Sequence, residues 1–357
     1  MAGPLHGLTI IEMAGLGPGP FAAMMLADHG AEVIRVERAG MIGVPNDPLL
    51  RNRRSISLDL KREEHRDVVR RLAVKADGLI EGYRPGVMER LGLGPDDLRA
   101  DHPGLVYGRI TGWGQHGPLA AEAGHDINYL AITGLLHGLG EPDRPPRPPM
   151  NLVADYAGGG MMLAFGMVAA LLDVQRGAAG RVVDAAMSDG AALTGALIYG
   201  LKAAGAWGGG RGGNLLDGGN PLYGCYECAD GKYLALGAIE PQFVAALLDG
   251  LALPITAAKG DVARAVAARS RDEWVALFAG KDACVAPVLN MDEAPAHPHN
   301  AARATFTEVG GVVQPMPAPR YNDPLELPFG PRREGEDSAA ILAELNYSTA
   351  EIEELLR

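Results

Sequence analysis

Apolar and polar positions change their spacing several times along the first third of the chain. Leu8 to Glu12 (Leu-Thr-Ile-Ile-Glu) and Ala31 to Glu37 (Ala-Glu-Val-Ile-Arg-Val-Glu) are apolar runs of strand length, and Phe21 to His29 between them has helical spacing. Together they predict a βαβ unit, the start of a parallel sheet. The alternation continues with a helix over Glu63 to Lys75, a strand over Gly78 to Glu81, a helix over Val87 to Leu91 and a strand over Leu105 to Ile110. A doubly wound α/β domain is the architecture this order predicts.

The pattern then loosens. Glu141 to Pro149 is proline-stiffened and reads as an extended connection or crossover. Gly158-Gly159-Gly160 reads as a helix start, followed by a strand over Arg181 to Ala185 and a helix over Ser188 to Ala204. The apolar run Ala157 to Leu172 reads as a buried helix, because it falls short of the roughly 20 residues of a membrane span. Trp207 to Asn220 is a glycine-rich loop, Tyr223 to Gly237 a hairpin turning at Ala229-Asp230-Gly231-Lys232, and Pro241 to Leu251 and Arg271 to Phe278 are helices. These make a smaller α+β region. Gln314 to Pro319 leads out of it, and Ser338 to Leu356 supplies terminal helices.

Length and charge narrow the function. A chain of 357 residues suggests two domains, and a net charge of -12 argues against a nucleic-acid partner. Nothing reads as a signal peptide or a membrane span, so a cytoplasmic protein is expected. Cys225, Cys228 and Cys284 are too few for a disulfide framework. The Cys225-x-x-Cys228 pair lacks further ligands, so no metal is expected.

Against the acidic whole, basic residues gather early: Arg35, Arg38, Arg51, Arg53, Arg54, Lys61, Arg62, Arg84 and Arg90. They form either a solvated face or a phosphate site, and Arg38 and Arg84 follow strands, where open α/β sheets bind ligands. The loop Gly15-Leu16-Gly17-Pro18-Gly19-Pro20 departs from a dinucleotide fingerprint, since proline removes an N–H donor. His125 in Gly124-His125-Asp126-Ile127-Asn128-Tyr129 and Asp155 in Asn151-Leu152-Val153-Ala154-Asp155 each precede a helix-like segment. Asp126, Asp155 and Glu240 could be helix caps as well as catalytic groups, and His125 a structural histidine; spacing leaves both open.

The motifs Leu5-His6-Gly7-Leu8, Asp59-Leu60-Lys61, Glu81-Gly82-Tyr83-Arg84-Pro85-Gly86, Thr111-Gly112-Trp113-Gly114-Gln115-His116-Gly117-Pro118, Gly124 to Tyr129 and Gly237 to Phe243 fall in order along the chain. In them the sequence resembles the alpha-methylacyl-CoA racemases, within the third family of CoA transferases, from Leu5 to about Tyr321. The resemblance implies a Rossmann-like large domain (1–200 and 315–357), a linker (201–222), a small α+β domain (223–310) and a return linker (311–314). It implies an interlocked homodimer, with Glu240 of one chain reaching His125 of the other.

The implied reaction interconverts R and S 2-methylacyl-CoA thioesters through an enolate. His125 would act on the S substrate and Asp155 on the R substrate, with the backbone N–H at Asp126 holding the enolate oxygen and Glu240 orienting His125. Coenzyme A would be part of the substrate, with no separate cofactor, and would meet Arg38, Leu60, Lys61, Gly82, Tyr83, Arg84 and Arg90. An acyl surface rich in methionine is implied too; Met187 suits it, but Leu193 to Ala204 has no methionine. The alternative is a CoA transferase with Asp155 as nucleophile.

Overall fold

Residues 3–38, 40, 44, 46–323, 325 and 328–357 are described by the computed structural model. They form two compact units: Met1–Thr133, Met150–Thr194 and Ala304–Arg357 in the first, Gly134–Pro149 and Gly195–Arg303 in the second.

The first unit is built on six parallel strands: β1 (Thr9–Met13), β2 (Glu32–Glu37), β3 (Arg53–Ser57), β4 (Gly78–Glu81), β5 (Val106–Thr111) and β6 (Val182–Ala186). Their order is β3-β2-β1-β4-β5-β6, so the winding reverses between β1 and β4. An α/β fold on a parallel sheet is thus as expected. Helices α1 (Pro18–Asp28), α2 (Glu63–Lys75), α3 (Val87–Arg90), α4 (Pro95–Asp101), α5 (Asp126–Ala131), α6 (Leu152–Gln175) and α7 (Met187–Thr194) complete it. One sheet face sets Ile11, Met13, Ile34, Val36, Leu79 and Tyr107 against Val68, Val69 and Leu72 of α2 and Ile341 and Leu342 of the C-terminal helix Ser338–Glu344. On the other, Gly78 and Gly108 leave room for Met167 of α6, which a Cβ at either would strike.

Strand β3 lies where the sequence reads as a run of cations. Arg53 is wholly buried, its Nη1 2.5 Å from Glu12, whose other oxygen takes Arg35 at 2.6 Å. Arg51 pairs with buried Asp28 at 2.5 Å, and Arg54 with Glu32 and Glu344. Four members of the basic cluster are therefore neutralised inside the fold or at its C-terminal segment.

The three glycines Gly158, Gly159 and Gly160 do not start a helix. They sit within α6, which opens as a π-helix over Leu152–Met161 and continues as an α-helix over Met162–Gln175. Their reason is close approach. A Cβ at Gly190 of α7 would lie inside the Gly158 carbonyl, one at Gly159 would be 2.7 Å from Met187 and one at Gly160 2.7 Å from Phe21. At 24 residues α6 is also longer than its apolar run suggests, and is long and apolar enough to cross a membrane by length and composition. It is buried only on one side: Leu163, Met167 and Leu171 face the unit, while Met161, Phe165, Val168 and Leu172 are exposed.

In the second unit, β7 (Tyr223–Glu227), β8 (Tyr233–Gly237) and β9 (Val285–Val288) form an antiparallel sheet. The hairpin turns where expected, with the Gly231 N–H on the Cys228 carbonyl at 3.0 Å. Helix α8 (Ala196–Ala203) begins after Gly195, so the run Ser188 to Ala204 is two helices rather than one. Leu135 occupies the space a side chain at 195 would need. Helices α9 (Pro241–Leu251), α10 (Lys259–Val266) and α11 (Arg271–Phe278) pack Leu247, Leu251, Val262, Val266, Trp274 and Phe278 against Leu234 and Leu236.

Candidate active site

From the end of β5 the chain runs through Gly112 and Trp113 to His125, the N-cap of α5 with φ −134° and ψ 174°. The His125 N–H donates to Asn128 Oδ1 at 3.1 Å and closes the first turn. Tyr129 braces this turn from inside: its hydroxyl donates to the Gly124 carbonyl, and its ring meets Trp113 edge-on at 4.8 Å. A Cβ at Gly112 or at Gly124 would overlap the Tyr129 ring, so the slot requires both glycines. An exposed imidazole thus stands on a fixed backbone.

Asp155 lies inside the π-helical opening of α6, not ahead of it. Wider turns of this kind recur at functional sites because they displace a side chain from regular helical register. Half-buried Asp155 accepts from Asn151 Nδ2 at 3.3 Å. Burial raises its pKa, the Asn151 hydrogen bond opposes that, the charge of Asp126 raises it further and His125 lowers it. Burial and the Asp155 charge together push the Tyr129 phenol up.

Asp126 is buried, and its Oδ2 accepts the backbone N–H groups of Ala154 at 2.7 Å and Asp155 at 2.8 Å. Its carboxylate does not cap its own helix. It caps α6 instead, so one residue is both the chain neighbour of His125 and the anchor of the Asp155 backbone.

His125 and Asp155 line one cavity of about 430 Å³ at the C-terminal ends of β1, β4 and β5, with Gly17, Gly19, Gly82, Tyr129, Asn151 and Met187. This is the reversal point of the sheet, where open α/β sheets take ligands. A second cavity of about 470 Å³ holds Arg38, Leu60, Lys61 and Tyr83. The two adjoin along the chain, since Met13 and Gly82 line the first while Ala14 and Tyr83 line the second. Arg84 and Arg90 are exposed and line neither. Among the described residues Arg38, Lys61, Arg84 and Arg90 have no carboxylate partner, which separates them from the neutralised arginines.

Glu240 is the exposed N-cap residue of α9 in the second unit, ahead of Pro241 at N1. Tyr129 and Asn151 stand in the motifs read from the sequence but carried no role there. Asn151 had a signal: it lies four residues before Asp155, the spacing that brings two side chains to one helical face.

A doubly wound sheet with an imidazole and a carboxylate in one cavity at its reversal point has the arrangement of an α/β enzyme. The chain belongs to CoA-transferase family III, whose model matches residues 5–331. It is 43% identical to alpha-methylacyl-CoA racemase of Mus musculus, over 98% of this chain and 96% of that one, and 42% identical to its Homo sapiens counterpart over the same shares. The crystal structure of a CAIB/BAIF family protein from Brucella suis is similar with a TM-score of 0.84 and 28% identity, covering 97% of this chain and 100% of that chain.

Proposed function

We propose that this protein is a racemase that interconverts R and S 2-methylacyl-CoA thioesters in fatty acid metabolism. The observation that carries this reading is the presence of His125 and Asp155, on separate elements, in one cavity at the reversal point. The likeness to two alpha-methylacyl-CoA racemases across nearly the whole chain supports it.

The C2 proton is acidic only through its thioester, so its removal gives an enolate whose oxygen charge must be stabilised as it grows. One base takes the C2 proton, and the conjugate acid of the other returns a proton to the opposite face. His125 serves the S epimer and Asp155 the R epimer. Burial raises the pKa of Asp155, which favours the neutral carboxyl that returns a proton when His125 is the base. The Asp126 N–H, at the first helical position of α5, has no intrahelical partner and serves the enolate oxygen.

Coenzyme A, as part of the substrate, lies along Arg38, Leu60, Lys61, Gly82, Tyr83, Arg84 and Arg90, whose uncompensated cations suit its phosphates. A second copy of the chain completes an interlocked homodimer and supplies Glu240 to orient His125. The exposed apolar row of α6 supports a partner surface of that kind. Three free cysteines suit a reducing, cytoplasmic setting.

Incubating the protein with one epimer of a 2-methylacyl-CoA in deuterium oxide tests the reading. Deuterium at C2, with loss of optical purity and no acceptor acid present, is the expected result. Transfer of CoA to an added carboxylate, with release of the 2-methyl acid and no exchange at C2, would instead make Asp155 the nucleophile of a transferase.

A further inference from the structure

Glu81 closes β4 wholly buried, and the proton transfers above leave it without a part. One of its carboxylate oxygens accepts Arg109 Nε–H from β5 at 2.8 Å, and the other accepts the Tyr83 backbone N–H at 2.7 Å. Arg109, itself buried, gives its remaining N–H groups to both oxygens of Glu89 in α3, at 2.7 and 3.3 Å. A single guanidinium therefore grips both ends of the segment 81–89. That segment carries Gly82, Tyr83 and Arg84, and Arg90 follows it directly.

We propose that Glu81, Arg109 and Glu89 form a positioning clamp that presents Gly82, Tyr83, Arg84 and Arg90 to the nucleotide end of the thioester. The inference rests on the acyl-CoA reading above. Arg84 and Arg90 are exposed and on flexible stems, so only a fixed backbone gives them a defined place to meet phosphates. The turn between them is tight, with Gly86 at φ +82°. A buried ion pair adds little net stability over apolar packing of the same volume, whereas a guanidinium with fixed N–H directions sets geometry. Burial pushes the Glu81 carboxyl up, and the Tyr83 N–H and Arg109 oppose this, so the clamp is strongest with Glu81 ionised.

Two thioesters of one 2-methylacyl group separate this role from general support of the fold: the CoA thioester, and the N-acetylcysteamine thioester, which lacks the nucleotide and its phosphates. In wild type, deuterium exchange should show a lower KM for the CoA thioester; equal kcat/KM for both would overturn the CoA-site reading itself. Glu89→Gln and Glu81→Gln should raise KM for the CoA thioester roughly tenfold, the loss of about one charge-assisted hydrogen bond, and leave kcat and the N-acetylcysteamine kinetics at wild-type values. Equal losses on both thioesters, or an unchanged KM for the CoA thioester, would overturn the clamp. Glu89 lies at the surface with its side chain 44% exposed, so that variant keeps the test available should Glu81→Gln fail to fold.

Discussion

At Asp155 one carboxyl is pulled in two directions, upward by burial and by Asp126, downward by the Asn151 amide and by His125. Removing the amide in Asn151→Ala leaves the upward pull less opposed. Asp155 then stays neutral to higher pH, and exchange that needs it ionised begins later: the acid limb of kcat/KM for the R epimer moves to higher pH. A limb that stays put or moves down would show that Asn151 does not tune Asp155. Asp155→Asn and His125→Gln should each lower racemisation from both epimers by about 10² to 10⁴, because inversion needs a base on one face of C2 and an acid on the other. Both proposed proton carriers were legible as residues in motifs. Their setting was not, since the tie from Asp126 to the Asp155 N–H joins positions 29 apart in sequence.

Among the elements, α6 departs most from its sequence reading, and the departure has a packing cause. Glycine triplets usually mark loops or helix ends, but here they let α6 and α7 cross with backbones in contact. Gly190→Ala should therefore lower stability by about 1–3 kcal/mol or more, read as a lower denaturant midpoint at unchanged slope, since a methyl there must displace the Gly158 carbonyl. Wild-type stability in that variant would remove the account. Strand β3 escaped for a different reason: Arg53 and Arg54 look like solvated cations until Glu12 and Glu344 are brought beside them. The helices Glu63–Lys75, Pro241–Leu251 and Arg271–Phe278 and the strand Gly78–Glu81 were legible to the residue, because their periodicity is set by local sequence.

For the whole molecule, an acidic chain buries several cations against carboxylates, as Arg35 and Arg53 on Glu12 and Arg51 on Asp28. Among the described residues Arg38, Lys61, Arg84 and Arg90 stand past the ends of β2, β3 and β4 with no carboxylate partner. Arg53→Met would leave Glu12 buried with only Arg35, at a cost of about 3–5 kcal/mol, and urea unfolding should show it. Because that pair is shielded from solvent, the loss should persist at high salt, unlike that of an exposed pair. The alternation of strands and helices and the parallel sheet were determined by sequence alone, for they depend on residue type and local spacing, while His125, Asp155 and Glu240 were singled out by motifs that resemble a known family, spacing having left caps and catalysis both open. Which arginines remain free to meet an anion, which helix Asp126 caps and why three glycines lie within α6 were decided only by tertiary structure. Each depends on a neighbour that the chain supplies from far away, and only the folded arrangement brings that neighbour within hydrogen-bond or van der Waals reach.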